Sequence, residues 1–364
     1  GRLPFARLFD TAIYVADRGM PVTHHLADKF TFRREDLSRL PATKAIFLKA
    51  DGATYGAGET FRQPALAATL KAVASQGTDY MYKGAWAKKL VAAVQADGGK
   101  MTLEDLARYQ GEFVEAATSN YHGYDLYELP PPSQAWAANE MLNILEACVP
   151  RWASGRTLAT LGPRDPDYWH MVVEAKKLAY ADLERYDADP GFSKVPTDRL
   201  ISKAYAGELC AKIDPKKAAI PEKAPIPTGG TAYIVTADKD GNMVSFIYSV
   251  FSYFGADVTI PGYGFLLNDR GSQFSLNPKS PNVIAGRKRP FHTIIPAFLT
   301  QNGQPVMSFG VMGGNMQPQG HMQTLVRMID HAQNPQAACD APRWRFNTGM
   351  EINAEPTMSA DTVQ

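Results

Sequence analysis

Apolar residues recur at helical spacing through much of the first two hundred positions. Segments 64–74 and 85–96 each repeat apolar side chains with the period of a helix that buries one face. Segment 168–186 continues this pattern for several turns, and Thr102 with Asp105 is typical of a capping box at a helix start. The first part of the chain is therefore predicted to be mostly helical.

After residue 230 the pattern changes to the alternation that is typical of strands. Two hairpins are predicted, one around Asp240-Gly241 and one around Asn302-Gly303. Their strands are residues 233–237 with 243–248 and residues 293–300 with 305–310. A further strand is predicted at 264–267 and a helix at 322–331. Helices followed by strands and then a helix predict an α+β fold, a four-layer αββα sandwich with two sheets between helical layers.

Composition narrows the class of protein only a little. The chain has 364 residues, of which 45% are hydrophobic and 21% charged, and its net charge is +1. These values are typical of globular proteins and indicate no basic surface for nucleic acid or for an acidic membrane. No stretch approaches the roughly 20 apolar residues that a membrane-spanning helix needs, so no membrane segment is predicted.

Cysteine and histidine usage indicates neither a disulfide framework nor a metal site. Cys148, Cys210 and Cys339 are odd in number and far apart, which favours small buried side chains. The histidines form no HExxH or comparable set. We therefore expect no metal and no cofactor.

The stretch Gly229-Gly230-Thr231 carries the most specific chemistry in the sequence. Two glycines leave the backbone before Thr231 unhindered. This arrangement suits a chain that cuts itself between Gly230 and Thr231 and then uses the freed threonine as a nucleophile. The α-amine of an N-terminal threonine has an unperturbed pKa of about 8, so it can take the hydroxyl proton near neutral pH.

Residues 231–241 resemble the start of the small subunit of γ-glutamyltransferases, which are N-terminal-nucleophile hydrolases. Further stretches match that family in its own order: Pro130-Pro131-Pro132-Ser133, residues 174–182, Lys288-Arg289-Pro290, Gly313-Gly314 and Ala341-Pro342-Arg343. The resemblance implies that residues 1–230 are part of a large subunit ending in the Pro- and Lys-rich linker 214–229. Residues 231–364 would form the small subunit.

The same resemblance implies which partners and location to expect. The two subunits would come from one precursor, and a homo-oligomer stays open. Any export signal would precede Gly1, which leaves a bacterial periplasmic or secreted location and a cytoplasmic one both open.

The resemblance also implies a role for each residue of the reaction centre. Thr231 is the nucleophile, which first attacks the carbonyl of Gly230 during self-cleavage. Ser249 keeps the hydroxyl that hydrogen-bonds the nucleophile in the family. Gly313 and Gly314 match the glycine pair that forms the oxyanion hole. Water as acceptor would give hydrolysis of the acyl-enzyme, and an amine would give acyl transfer.

The chain departs from true γ-glutamyltransferases where that family binds the γ-glutamyl group. Arg270 and Gln273 stand where acceptors hold the α-ammonium, and Phe251 replaces an asparagine that contacts the substrate carboxylate. His292 and Thr293 replace two serines that bind the α-carboxylate. Because a guanidinium repels an ammonium and pairs with a carboxylate, we expect an acyl group that ends in a carboxylate and need not carry an amine.

These residues favour a self-processing amidohydrolase or acyltransferase acting on small γ-glutamyl or related amides. Three alternatives stay open at this point. The chain could be a glutaryl acylase of the cephalosporin type or a poly-γ-glutamate depolymerase. In a different class, it could be an uncut, non-catalytic homologue that acts as a binding protein.

Overall fold

The computed structural model describes residues 2–152, 155–221 and 229–363. These residues divide into two compact units. The first unit is formed by Gly1–Phe113 with Val250–Asp269, and the second by Val114–Ser249 with Arg270–Gln364. The predicted subunit boundary at 230/231, where the chain would be cleaved, lies within the second unit and stays a prediction. Of the predicted linker 214–229, residues 222–228 lie outside the described part of the chain.

The first unit is built almost entirely from short helices. They are a 3₁₀ helix Phe5–Phe9, α1 Asp10–Arg18, α2 His24–Phe32, α3 Arg34–Ser38, α4 Pro41–Phe47, α5 Pro64–Gln76, α6 Asp79–Tyr82, α7 Ala85–Ala96 and α8 Leu103–Ala107. Strands β1 Met20–Pro21 and β2 Thr60–Phe61 pair antiparallel. Helices α5 and α7 confirm two segments predicted from apolar spacing, and the capping box of Thr102 and Asp105 at the start of α8 is also confirmed.

Segment 264–267 of the first unit is not a strand, so that prediction is wrong. Gly264 has φ +77°, and a Cβ there would lie 2.3 Å from the backbone nitrogen of Leu66. The segment therefore passes close against the start of α5 instead of extending. Leu266 alone pairs with Thr259, as an isolated bridge. A short apolar run does not reveal such a close approach.

The second unit contains both sheets that concern the site. Strands β3 Ala117–Tyr121, β4 Tyr124–Glu128, β7 Ala297–Gln301 and β8 Gln304–Phe309 form an antiparallel sheet in the order β3-β4-β7-β8. Strands β5 Gly230–Ala237 and β6 Met243–Phe251 form a separate hairpin. Both predicted hairpins are therefore confirmed. In the turn of the second, Asn302 and Gly303 take φ values of 52° and 73°, which a type I′ turn requires.

The helices of the second unit pack around one long buried helix. They are α9 Trp136–Trp152, α10 Pro166–Tyr186, α11 Thr197–Leu200, α12 Lys203–Cys210, α13 Gln317–Leu325, α14 Pro335–Asp340 and α15 Ala360–Val363. Helix α9 contacts β3 and β4 on one side and α10, α12 and α13 elsewhere. Trp136, Met141 and Leu142 are fully buried along it. This packing fixes the start of α9 and the start of α13, the two points that support the candidate site.

Two of the three cysteines form a disulfide, which corrects the expectation of unpaired side chains. Cys148 on α9 and Cys210 on α12 are bonded, with their Cα atoms 5.4 Å apart. The two residues are 62 positions apart in sequence and are brought together by the packing of their helices. Cys339 is exposed and carries a free thiol.

None of the helices described above is both long and apolar enough to cross a membrane.

Candidate active site

The hairpin of β5 and β6 brings Thr231 and Ser249 to one end. Gly230 and Thr231 begin β5, and Ser249 lies near the end of β6, so the two positions face each other across the hairpin. The Ser249 hydroxyl donates to the carbonyl oxygen of Gly230 at 2.5 Å. Ser249 was predicted to bond the nucleophile itself. In the intact chain its hydroxyl holds the carbonyl that precedes Thr231, and the predicted contact with the nucleophile stays a prediction.

A side chain at the start of helix α13 donates a hydrogen bond to the hydroxyl of Thr231. Gln317, the first residue of that helix, donates from Nε2 to Thr231 Oγ1 at 3.4 Å. Its Oε1 accepts from the backbone N–H of Ile295 at 3.3 Å. Gln317 is fully buried. The sequence alone predicts no contact of this residue with the nucleophile, because a glutamine at a helix start matches no catalytic motif.

The glycine pair Gly313-Gly314 forms the turn that leads into α13. Gly313 has φ 120° and Gly314 has φ 60°, conformations in which a side chain would be strained. Gly314 begins a 3₁₀ helix, Gly314–Met316, which continues directly into α13. The helix therefore begins earlier than the predicted residue 322. Glycine is required here by the backbone, whatever chemistry the turn performs.

The carbonyl groups of this turn are held by donors from the protein. Met316 N–H donates to Gly313 O at 3.1 Å, and the Gln134 amide donates to Gly314 O at 2.9 Å. The hydroxyl of Tyr180 donates to Asn315 O. Since peptide groups are planar and trans, fixing a carbonyl also fixes the N–H of the next residue, which points the opposite way. The N–H of Gly314 is set in this way by the bond at Gly313 O. The Gly314 N–H fixed in this way can serve as a donor for an oxyanion.

Arg270, Gln273 and Thr293 come together beside this turn. A short 3₁₀ helix, Arg270–Gln273, lets Arg270 Nη1 donate to Gln273 Oε1 at 3.0 Å. The same nitrogen donates to Thr293 Oγ1 at 3.3 Å. Thr293 is buried, and its carbonyl accepts from Gln134 at 3.0 Å. Gln134 thus connects these three residues, which we call the arginine cluster, to the glycine turn.

His292 lies next to the arginine cluster in a neutral state. Burial, together with the positive charges of Arg270 and Arg289, lowers its pKa from 6.5 to about 4. Its Nδ1 and the Nε2 of Gln273 are buried polar atoms without a hydrogen-bond partner among the described residues. Both groups can therefore serve a polar ligand.

Phe251 is assigned to the first unit, whereas the other predicted site residues belong to the second. It ends β6 but belongs to the first unit, where it is buried and takes φ 76°. That conformation is uncommon for a residue with a bulky side chain. Its predicted contact with substrate stays a prediction.

Within the described ranges there is no group of three or more His, Cys, Asp or Glu residues that could hold a metal ion.

Comparison with known proteins assigns the family. The family model described as Gamma-glutamyltranspeptidase matches residues 1–364. The "Glutathione hydrolase-like YwrD proenzyme" of Bacillus subtilis (strain 168) is 36% identical over 344 residues, covering 94% of this chain and 63% of the relative. The "Acylase ACY 1 proenzyme" of Pseudomonas sp. (strain SE83) is 35% identical over 362 residues, covering 97% of this chain and 62% of the relative.

A solved structure agrees with the sequence matches. The crystal structure of cephalosporin acylase from Bacillus halodurans aligns with a TM-score of 0.87 and 37% identity, covering 99% of this chain and 66% of that chain. The predicted α+β fold of the N-terminal-nucleophile hydrolase type is therefore confirmed. The chain spans slightly less than two thirds of the length of these relatives. It belongs to the gamma-glutamyltranspeptidase family.

Proposed function

We propose that this chain belongs to a self-processing amidohydrolase or acyltransferase that acts through an acyl-enzyme on Thr231. The observation that carries the proposal is the contact of the Ser249 hydroxyl with the Gly230 carbonyl, directly before Thr231. A hydroxyl that donates to this carbonyl draws electron density from its carbon. The peptide bond at 230/231 is thereby prepared for attack by the neighbouring side chain.

Self-cleavage would proceed by transfer of the Gly230 acyl group from nitrogen to oxygen. Thr231 Oγ1 bonds to the carbonyl carbon, the bond to the Thr231 nitrogen breaks, and the hydroxyl proton ends on that nitrogen. Water then opens the ester, leaving a carboxyl group on Gly230 and restoring the Thr231 hydroxyl. The freed amine of Thr231 is the base for every later turnover.

Turnover on an amide substrate repeats these steps. The amine of Thr231 takes the hydroxyl proton, Oγ1 attacks the substrate carbonyl, and the proton passes to the leaving amine. The N–H groups of the Gly313-Gly314 turn would bind the negative oxygen formed on attack. Water or a second amine then takes the acyl group from Oγ1.

The arginine cluster would select the acyl group. The guanidinium of Arg270, together with the Thr293 hydroxyl and the Gln273 amide, offers hydrogen-bond donors to a carboxylate. An α-ammonium beside Arg270 would be repelled. The substrate class that fits is a small amide whose acyl chain ends in a carboxylate, such as a glutaryl amide. The relatives, which include a cephalosporin acylase and a glutathione hydrolase-like proenzyme, support the same class of reaction.

The test is a comparison of two chromogenic substrates that differ only in the α-ammonium. Purified protein is given glutaryl-p-nitroanilide and γ-glutamyl-p-nitroanilide, and kcat/KM is measured for each. We expect faster release of p-nitroaniline from the glutaryl compound. Preference for the γ-glutamyl compound would contradict the specificity, and activity on neither compound with an uncut chain would instead support a binding protein.

A further inference from the structure

We propose that Gln317 is a catalytic residue, whose amide N–H binds the reacting oxygen of Thr231 during both self-cleavage and turnover. The inference rests on the proposed function, since it concerns the same nucleophile. It adds a group that neither the family's glycine pair nor the Ser249 hydroxyl supplies.

The orientation of the Gln317 amide is determined by its second partner. Oε1 lies 3.3 Å from the backbone nitrogen of Ile295. A backbone N–H can only donate, so the oxygen of the amide must face Ile295 and the nitrogen must face Thr231. The contact of 3.4 Å with Thr231 Oγ1 is therefore a donation from Gln317 to the hydroxyl.

The position of Gln317 is rigidly supported. It is fully buried at the start of α13, and Pro318 follows at the helix position that proline favours. Ile295, which holds the other end of the amide, is also fully buried. The turn that precedes the helix is fixed by Gln134 and Tyr180. A donor held in this way needs no reorganisation when charge develops on Oγ1. The length of its contact with Oγ1 is typical of catalytic hydrogen bonds before substrate binds.

A donor at Oγ1 serves two moments of the reaction. During attack it occupies one lone pair of the oxygen, which leaves the other directed at the carbonyl carbon. When the ester breaks, Oγ1 leaves with the electron pair of the carbon–oxygen bond, and the N–H offsets that negative charge until a proton arrives. Gln317 takes up no proton itself, so the proton balance of the reaction is unchanged.

The experiment compares two substitutions at Gln317 in the full chain. Gln317→Met removes both hydrogen bonds at similar length. Gln317→Glu keeps an acceptor for Ile295 but donates to Thr231 only when its carboxyl is protonated. Self-cleavage is followed as a time course after cell-free synthesis, and turnover is followed with whichever of the two p-nitroanilides the wild type hydrolyses faster.

We expect Gln317→Met to slow both self-cleavage and turnover by about 100-fold, the usual effect of removing one donor from a developing charge. The rate of Gln317→Glu relative to wild type should rise as the pH falls from about 8 to about 5, because burial raises the pKa of a carboxyl and protonation restores a donor. A purely structural role would not produce this recovery.

The matched control is Gln323→Met on the same helix. Gln323 is also buried, and both ends of its amide bond the backbone of Trp344, so its loss tests the cost of removing a glutamine from α13. It should keep wild-type rates. If folded Gln317→Met matches wild type, or if Gln317→Glu shows no recovery at low pH, the inference is overturned. A wild type that is neither cut nor active would remove the proposed function as well, so the two failures are distinguishable.

Discussion

The nucleophile side and the arginine cluster lie in the same unit but differ in the groups they use. On the nucleophile side, which comprises Thr231, Ser249 and Gln317, the donors are neutral. The Ser249 hydroxyl bonds the Gly230 carbonyl that precedes Thr231, and the Gln317 amide bonds Thr231 Oγ1. In the arginine cluster, a guanidinium bonds Gln273 and Thr293, and its charge helps lower the pKa of His292. This difference suggests that the reaction steps depend on neutral donors, whereas the choice of substrate depends on one charge.

Self-cleavage allows the two sides to be separated experimentally. It acts on the chain's own Gly230 carbonyl and needs no carboxylate-terminated acyl group. Changes on the nucleophile side should therefore alter both self-cleavage and turnover. Changes in the arginine cluster should alter only the turnover of substrates.

The largest effect is expected from removal of the nucleophile. Thr231→Ala should leave the chain uncut and lower turnover by at least about 10⁴-fold, because both reactions need Oγ1. Denaturing electrophoresis and p-nitroaniline release measure the two outcomes. Thr236→Ala, a threonine on the exposed part of the same strand, is the control and should behave as wild type. Turnover by the alanine variant at position 231 would remove the role of Thr231.

The charge of the arginine cluster should change specificity without changing self-cleavage. Arg270→Gln should lower kcat/KM for glutaryl-p-nitroanilide by about 10- to 100-fold, as expected for loss of a charged hydrogen bond. The ratio of kcat/KM for the glutaryl compound to that for the γ-glutamyl compound should fall as well. Arg345→Gln, which removes an arginine bonded only to asparagines, is the control. Slower self-cleavage in Arg270→Gln would contradict the separation of the two sides.

Gln134 should affect both self-cleavage and turnover, because its amide bonds both the glycine turn and the arginine cluster. Its amide donates to Gly314 O at 2.9 Å and to Thr293 O at 3.0 Å. Gln134→Met should therefore slow self-cleavage and also lower kcat/KM for the glutaryl compound, each on the order of 10-fold, through loss of alignment. Thermal unfolding of the variant is measured alongside. An effect on only one of the two reactions would show that the connection has no functional consequence.

The smallest effect is expected from the titration of His292. Its folded-state pKa of about 4 lies below the ordinary 6.5, so only the unfolded chain binds the proton between these values. The contribution of neutral His292 to the free energy of unfolding is fully present above pH 6.5. It should be lost as the pH drops towards 4, by at most about 3 kcal/mol and by less where water reaches the ring. His292→Asn should flatten this part of the curve. Urea unfolding at several pH values measures it, and an unchanged slope would contradict the assigned shift.

Local features of the fold were predictable from the sequence. Apolar spacing gave the bounds of α7 correctly at Ala85–Ala96, and the turn residues Asn302-Gly303 gave the position of the second hairpin. Each depends on neighbours in sequence. The hairpin of β3 and β4 was missed although His122-Gly123 carries a similar signal, with φ values of 49° and 86°.

Features that depend on distant residues were not predictable in the same way. The disulfide between Cys148 and Cys210 arises from the packing of two helices, and the strand predicted at 264–267 is prevented by the approach of Gly264 to α5. The same holds for the candidate site. The family resemblance indicated Thr231 and the glycine pair. Gln134 instead bonds residues 159 and 180 positions away, and Gln317 reaches Thr231 across 86 positions.

The central claim is tested most directly by the mass and N-terminal sequence of the purified protein's fragments. We predict two fragments, of which the smaller begins at Thr231 with a free amine, and a mass increase on that fragment when the glutaryl substrate is trapped by rapid acid quench. An active preparation whose chain is intact, or whose new terminus is any other residue, would contradict it.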